Sequence, residues 1–267
     1  MREIDEPAVY LVAKTSLVSE GLSAFLTDIG DPEWRPDPTA AEAETLLEAA
    51  GRLCYRSWQP YDSGKPTATN PNVTKVRTGN APFLRNIIES GHGSVLEHAA
   101  MTFICRGISR VFTHELVRHR AGMAYSQESL RYVRLDDLPF WLPGAVVNNP
   151  RATKKFRDVL EFLEIVQREL ASMFQIDDAK DFNERKRLTS MFRRLAPIGL
   201  GTSIMVTGNL RAWRHVIATR TSPAAEEEIR IVVGKIATIC KREYPHVFFD
   251  ISRDDETGEW RPLNPKV

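Results

Sequence analysis

The sequence has few cysteines and lacks a long apolar run. Its three cysteines, Cys54, Cys105 and Cys240, are far apart and odd in number, which argues against a disulfide framework and against a paired-cysteine zinc site. We expect all three to be buried small hydrophobic side chains. No stretch of about 18 apolar residues is present, and the opening "MREIDEPAVY" mixes charges where a signal peptide needs an apolar segment. The sequence therefore predicts a cytoplasmic protein that does not contact membranes.

An excess of charge of one sign is also lacking. The chain has 36 Lys and Arg residues against 35 Asp and Glu residues, a formal net charge of +1. This balance argues against a nucleic-acid binder held by bulk electrostatic attraction, so no obligate nucleic-acid partner is expected. A length of 267 residues with 42% hydrophobic residues predicts one compact domain over 1–267. We expect residues 1–45 to form an N-terminal extension that packs on its core.

Several common catalytic motifs are absent. The sequence contains no GxGxxG, no GxxxxGK followed by Ser or Thr, and no GxSxG, which argues against Rossmann, P-loop and serine-hydrolase sites. The stretch "HELVRH" resembles a zincin motif, but His114 and His119 are five residues apart. A helix would turn their rings away from each other, whereas HExxH places them on one face. We therefore predict no metal site.

Positive charge is concentrated in two arginine-rich segments. Six arginines lie between Arg106 and Arg134, and seven lie between Asn183 and Arg220. The planar fork of arginine suits phosphates and the edges of bases. These segments therefore indicate an anion-binding or nucleotide-binding surface. The alternative from the residues alone is a pair of solvated helix faces, whose arginines pair with acids such as Glu115 and Glu128.

Hydrophobic periodicity predicts an α+β fold with long helices and a few strands in antiparallel order. Loops are predicted over 31–39 and 58–72, with a helix "AAEAETLLEAAGRLCY" between them. A short helix ends at Gly91, and "HAAMTFICRG" reads as a strand. Helical spacing returns in "SRVFTHELVRHR" and is expected to end at Gly122. The following "YSQES" is expected to be a loop that enters a second strand, "LRYVRL".

The second half of the sequence is predicted to be mainly helical. The segment 152–174 is the clearest amphipathic helix. Its predicted core stripe consists of Phe156, Val159, Leu160, Leu163, Val166 and Leu170. Further helical patterns lie around 184–195, 210–219 and 225–242.

Three motifs together resemble a known family. The run "RHR" with "YSQESLRY" is preceded by "GHGSVLEH" and followed by "VTGNLRAWRHVIATR", in an order that covers about 51–249. This order is similar to that of the flavin-dependent thymidylate synthases, the ThyX family. The resemblance implies an α+β fold with a mixed or antiparallel sheet, and a homotetramer with its sites at subunit interfaces.

The resemblance also implies an activity. Members transfer a methylene group from methylenetetrahydrofolate to C5 of dUMP and reduce it to the methyl group of dTMP with FADH2, which NADPH regenerates. They use no cysteine nucleophile. A cation beside the pyrimidine would therefore have to stabilise the charge that develops as N3 ionises and C5 becomes nucleophilic.

Residues that match the family's motifs acquire expected roles. Arg220 matches the arginine that promotes ionisation of the base and is the expected catalytic residue. Positions expected to bind dUMP or UMP are Arg110, Glu115, Leu116, Val117, Arg118, Gln127, Glu128, Ser129, Leu130, Arg131, Arg193 and Arg220, with Arg193 donated by a neighbouring subunit. Positions expected to bind FAD are His92, Ser94, Arg118, His119, Arg120, Gln127, Asn209, Leu210, Arg211 and His215.

Two departures from the family pattern leave alternatives open. Eight residues separate Arg120 from Ser129, one more than in the usual signature, and Ala224 stands where many members have a histidine near the flavin. A reshaped pocket could admit UMP, because an added hydroxyl is hard to reject in a pocket that is not tightly closed. One alternative is therefore a UMP/dUMP C5-methylase of a nucleoside-antibiotic pathway. Another is a non-catalytic nucleotide- or RNA-binding module.

Overall fold

The structure, a computed structural model, describes residues 2–131, 137–179 and 181–267. The strands in these ranges are β1 (Arg2–Glu3), β2 (Ala8–Lys14), β3 (Ala100–Ser109), β4 (Met123–Gln127), β5 (Pro139–Phe140), β6 (Gly201–Asn209), β7 (Ile251–Arg253) and β8 (Trp260–Pro262). The α-helices are α1 (Ser19–Asp28), α2 (Glu42–Tyr55), α3 (Asn80–Glu89), α4 (Arg110–Leu116), α5 (Gly144–Val147), α6 (Pro150–Met173), α7 (Phe182–Phe192), α8 (Leu210–Arg220) and α9 (Glu227–Glu243). Short 3₁₀ helices span Gly93–His98, Ile176–Asp178 and Arg193–Leu195.

A four-stranded antiparallel sheet organises the chain, with strand order β2-β3-β6-β4. Its centre is the long pair β3 and β6, in which Met101 lies opposite Gly208 and Phe103 opposite Val206. Alternate residues of β3 point inward and are fully buried, which is the pattern of a strand with one face on a core. The predicted α+β fold with an antiparallel sheet is confirmed.

The main core lies between this sheet and the helices α2, α3, α8 and α9. Trp213 of α8 packs its ring edge-on against Phe103 of β3, with ring centroids 5.1 Å apart. The Trp213 indole donates a hydrogen bond to the Met101 carbonyl at 3.1 Å, so its buried N–H is satisfied. Val232 and Ile236 of α9 are completely buried against the same cluster. The helix α8, which carries many of the expected site residues, is therefore fixed to the sheet.

Most of the predicted helices and the strand "HAAMTFICRG" are confirmed, but the segment after β3 differs. The helix α4 ends at Leu116, not at Gly122 as predicted. The Tyr125 hydroxyl donates to the carbonyls of Leu116 and His119, so these groups are satisfied without further helix. Tyr125–Gln127, expected to lie in a loop, belong instead to the strand β4, because Met123–Gln127 pair with β6. The predicted strand "LRYVRL" falls largely on 132–136, outside the described residues.

The predicted core stripe of α6 is confirmed in part. Leu160 is buried, and the half-buried Leu163 and Leu170 pack against small hydrophobic clusters of the same chain, whereas Phe156 and Val159 are 40% and 56% exposed. Phe162 and Ile165, on the same helix, are 62% and 47% exposed. The amphipathic pattern predicts the helix correctly, but part of its apolar surface is not covered by its own chain.

Two smaller expectations also change. The predicted extension over 1–45 includes β2, which forms six residue pairs with β3 from Ala8 to Lys14 and is therefore an edge strand of the central sheet. The prediction that all three cysteines are buried is wrong for Cys54, which is exposed at the end of α2, whereas Cys105 and Cys240 are buried. Over the described ranges, no helix is both long and apolar enough to cross a membrane.

Candidate active site

Arg220, Glu115 and His119 form the centre of the candidate site. The Arg220 guanidinium donates from Nε to His119 Nε2 at 2.7 Å, and from its two terminal nitrogens to the Glu115 carboxylate at 3.0 Å and the Glu115 carbonyl at 3.1 Å. A guanidinium has five N–H donors. Three of them are therefore committed within the protein, which leaves two for a ligand.

Helix ends and caps place these three side chains. Glu115 lies in the last turn of α4, whose first turn is capped by Ser109: its hydroxyl accepts hydrogen bonds from two backbone N–H groups. Ser109 is in turn held by buried Glu228 of α9, which accepts from the Ser109 backbone N–H at 2.6 Å and from its hydroxyl. Arg220 is the last residue of α8, and His119 follows α4. The arginine therefore bridges the ends of two helices.

His119 acts as a neutral hydrogen-bond acceptor. Burial, together with the positive charge of Arg220 and the nearby His215, lowers the pKa of His119 to about 4. The His119 and His215 rings are 5.4 Å apart between centroids and meet edge-on. An uncharged ring can accept from Arg220 Nε, and it does not add a second positive charge beside the guanidinium.

One cleft, here called the RHR cleft, opens beside this centre and has a volume of about 470 Å³. Its polar lining includes six residues predicted to bind FAD: Arg118, His119, Arg120, Asn209, Arg211 and His215. Asn209 also caps α8 by accepting from the Ala212 N–H at 2.8 Å. Arg211 pairs with Glu97 at 2.6 Å, whereas Arg118 and Arg120 are exposed and form no ion pair with a described residue. The cleft is therefore strongly cationic.

Two glycines bring the backbone close to this cleft. A Cβ at Gly93 would lie 2.7 Å from Arg211 Nε, so the 3₁₀ helix that carries Ser94 lies at the edge of the cleft. Gly122 has φ of +69°, and a Cβ there would lie 2.3 Å from the Asn209 side-chain nitrogen. The left-handed backbone at Gly122 therefore favours glycine, whereas a side chain at Gly93 would displace the end of the Arg211 side chain.

A second cleft, here called the Gln127 cleft, has a volume of about 310 Å³. Five residues predicted to bind the nucleotide line it: Arg110, Val117, Gln127, Leu130 and Arg193. Arg110 donates to the Glu128 carbonyl at 2.9 Å, but its Nε is buried and has no hydrogen-bond partner among the described residues. Burial lowers the pKa of Arg110, the nearby charge of Arg193 lowers it further, and Glu128 opposes this shift. Two close arginines with an unsatisfied donor indicate an anion site. Arg193, expected from a neighbouring subunit, already lines this cleft in its own chain.

The remaining predicted residues lie outside both clefts. The side chains of Leu116 and Leu210 are completely buried in the main core, so they are structural. The Glu128 carboxylate accepts from the Ser203 backbone N–H at 3.0 Å and thereby holds the end of β4 to β6. Further sequence-predicted positions are His92, bonded through Nδ1 to the Tyr55 hydroxyl at 3.0 Å, and Ser129, whose hydroxyl accepts from the N–H of exposed Arg131 at 3.3 Å.

Comparisons with known proteins agree with these motifs. A family model described as "Thymidylate synthase complementing protein" (Thy1) matches residues 38–246. A flavin-dependent thymidylate synthase of Mycobacteroides abscessus is 37% identical over 263 residues, covering 94% of this chain and 93% of that protein. One from Corynebacterium diphtheriae is 35% identical and covers 85% of this chain and 86% of its own. The chain belongs to the flavin-dependent thymidylate synthase family.

The fold is also similar to that of a solved structure. The UMP/dUMP methylase PolB from Streptomyces cacaoi, bound with 5-Br UMP, superposes with a TM-score of 0.60 at 16% identity, covering 96% of this chain and 97% of that one. This similarity supports the fold. Within this fold, the predicted arginines Arg118, Arg120 and Arg211 line the RHR cleft, and Arg110 and Arg193 line the Gln127 cleft.

Sequence reasoning missed several contributors to the site of this flavin-dependent thymidylate synthase homologue. Thr113 lines the Gln127 cleft and accepts from the Gln127 amide at 3.1 Å. Pro265 and Lys266 line the RHR cleft, although nothing in the local sequence marks them. Conversely, Arg214 of the arginine-rich segment is 1% exposed and pairs with Asp250. Arg214 therefore neither binds a ligand nor lies on a solvated helix face, the two roles predicted for these segments.

Proposed function

We propose that this protein methylates C5 of dUMP to give dTMP, with a flavin as the source of hydride. The observation that carries the proposal is Arg220: its guanidinium is held by Glu115 and by His119, a lining residue of the RHR cleft, and two of its N–H donors have no acceptor among the described residues. The names of the relatives agree with this activity. A nucleotide phosphate and a flavin dinucleotide are the kinds of anion that the two clefts suit.

The RHR cleft fits FAD by the chemistry of its donors. Arg118 and Arg120 offer guanidinium groups without ion-pair partners, and such groups favour a diphosphate. Asn209, Arg211 and His215 would complete the contacts, with Ser94 at the edge of the cleft. When bound and reduced, the flavin would supply hydride. NADPH and methylenetetrahydrofolate are the proposed co-substrates that reduce the flavin and provide the carbon.

The Gln127 cleft is the proposed nucleotide site. Arg110 and Arg193 would bind the phosphate, because both present positive charge to the same cleft and Arg110 Nε lacks a partner. Arg220 would then face the pyrimidine. Its charge would stabilise the anion formed when N3 loses its proton, which makes C5 more nucleophilic. Glu115 and His119 would fix the direction of the Arg220 donors.

A homotetramer is part of this proposal. The apolar face of α6 includes Phe156, Val159, Phe162 and Ile165, all at least 40% exposed. Contiguous exposed apolar surface of this kind is typical of an interface with another chain. We infer that residues 1–267 form a single domain, that copies associate through this face in the cytoplasm, and that neighbouring subunits complete the sites.

A UMP/dUMP methylase is the second candidate. Its support is the fold similarity to PolB, whose structures with 5-Br UMP and 5-Br dUMP superpose with TM-scores of 0.60 and 0.57. UMP differs from dUMP by one hydroxyl, and only a site that closes tightly around the sugar rejects an added hydroxyl strongly. The extra residue between Arg120 and Ser129 lies in the segment that joins the two clefts.

Flavin absorbance tests the proposal directly. The purified protein is titrated with FAD, and the visible spectrum is recorded before and after addition of dUMP or UMP. We expect FAD to bind and dUMP to perturb its spectrum, with dTMP formed when NADPH and methylenetetrahydrofolate are added. Equal saturation by UMP, with formation of methylated UMP, would favour the second candidate. Absence of flavin binding, together with steeply salt-dependent RNA binding, would instead indicate a non-catalytic module.

A further inference from the structure

The segment Asn264–Val267 forms one wall of the RHR cleft. Pro265, Lys266 and Val267 line this cleft together with residues of α8. The segment lies outside the region 38–246 that the family model matches. Lys266 is exposed there and forms no ion pair with a described residue. A lysine that lies outside the matched family region therefore lines the cleft proposed for the cofactor.

A buried ion pair attaches this wall to the site. Arg214 and Asp250 are bonded at 2.7 Å, and both side chains are 0% exposed. Asp250 also accepts from the backbone and side-chain N–H groups of Asn264 at 3.0 and 2.9 Å. Arg214 Nε donates to the Val267 carbonyl at 3.1 Å. The residues on both sides of Lys266 are thus held by the Arg214–Asp250 pair, and Arg214 lies on α8, the same helix that presents Arg211 and His215 to the cleft.

The charges of the cleft are unbalanced. Arg118, Arg120 and Lys266 bring to one surface three positive side chains that have no ion-pair partner among the described residues, and the one acidic side chain among the lining residues, Glu97, is paired with Arg211. Like charges that converge repel each other unless an anion lies between them. The arrangement suits a ligand that carries more than one negative charge.

We propose that Lys266 binds the diphosphate of the dinucleotide cofactor in the RHR cleft. This inference rests on the proposed function, because it assumes that the cleft holds FAD. The arginines present planar forks, whereas lysine places a compact point charge on a flexible stem. Lys266 therefore adjusts its position to the diphosphate while its backbone stays anchored.

The test is the affinity of the intact protein for FAD, measured by quenching of flavin fluorescence. We expect Lys266→Gln to weaken binding roughly two- to fivefold at low ionic strength, the range of an exposed charge contact. The loss should shrink as salt is raised, because screening removes the contribution of an exposed charge. Lys266→Arg should restore most of the affinity. The melting temperature of the protein without FAD should not change in either variant.

Lys75→Gln is the matched control, since Lys75 is an exposed lysine in a loop that does not line the cleft and its loss changes net charge equally. Its affinity for FAD should equal that of the wild type. If the wild type binds FAD and Lys266→Gln binds it equally well, the inference is overturned and the proposed function stands. A loss common to both glutamine variants, or one that arginine does not restore, also overturns it. A wild type that does not bind FAD overturns both.

Discussion

Replacing Arg220 by lysine keeps the positive charge but removes the planar fork that Glu115 and His119 orient. The lysine ammonium can still reach the Glu115 carboxylate, so the fold should be retained. It cannot hold both free donors of the guanidinium in place. Loss of one charged hydrogen bond to the substrate costs about 1.5–3 kcal/mol. We therefore expect turnover to fall roughly 10- to 150-fold.

Formation of dTMP, quantified by chromatography at saturating FAD and NADPH, measures this loss. The perturbation of the flavin spectrum by dUMP gives nucleotide binding separately. Turnover of Arg220→Ala should be lower still, roughly 10²- to 10⁴-fold below the wild type, because this change removes both free donors and the charge. Arg261→Lys is the control, since Arg261 lies on β8 and pairs with Glu259 at 2.6 Å. Turnover of Arg220→Lys within threefold of the wild type would refute the assignment of Arg220.

Three further changes test the structure around the site. Asp250→Asn leaves the buried Arg214 charge unpaired and should lower the free energy of unfolding by about 3–5 kcal/mol at neutral pH. Burial raises the pKa of Asp250, but the hydrogen bonds and charge of Arg214 outweigh burial and lower it, so the difference in stability between wild type and variant should narrow as the pH falls below about 4. A difference in stability that does not depend on pH would contradict this account. In the native protein only Cys54 should react with a thiol reagent, the two buried cysteines reacting on unfolding; three fast thiols would be inconsistent with the core. Gly122→Ala should weaken FAD binding in a fluorescence titration by displacing Asn209; unchanged affinity would show that this contact is unimportant.

The sequence predicts elements whose signals are local. The helices α2, α8 and α9 and the strand β3 carry apolar repeats of their own and are confirmed. The end of α4 could not be predicted in the same way, because the Tyr125 hydroxyl that satisfies its carbonyls comes from a later strand. The apolar stripe of α6 shows another limit: periodicity identifies the apolar face of a helix but not which of its residues its own chain covers.

The residues of the candidate site also divide into those that a local sequence pattern predicts and those that only the fold brings to the site. The motif residues are short-range patterns, and the structure brings part of them to the two clefts. Lys266 has no pattern of its own, and it reaches the RHR cleft only because Arg214 and Asp250 pair across 36 residues of sequence. Leu116 and Leu210 are motif neighbours whose side chains are in the core. Adjacency to a ligand-binding residue in sequence therefore does not imply contact with the ligand.

The pairing of Arg220 with Glu115 shortens the distance over which the charge of Arg220 attracts an anion. Together with a neutral His119, the two ions form a local dipole, whose field falls off faster with distance than that of a lone cation. Arg118 and Arg120 remain lone cations, whose attraction extends further and is screened by salt within a Debye length of about 8 Å at physiological ionic strength. Capture of anionic ligands and conversion of bound substrate should thus respond differently to salt: association slows as ionic strength rises, while the rate of the chemical step stays nearly constant.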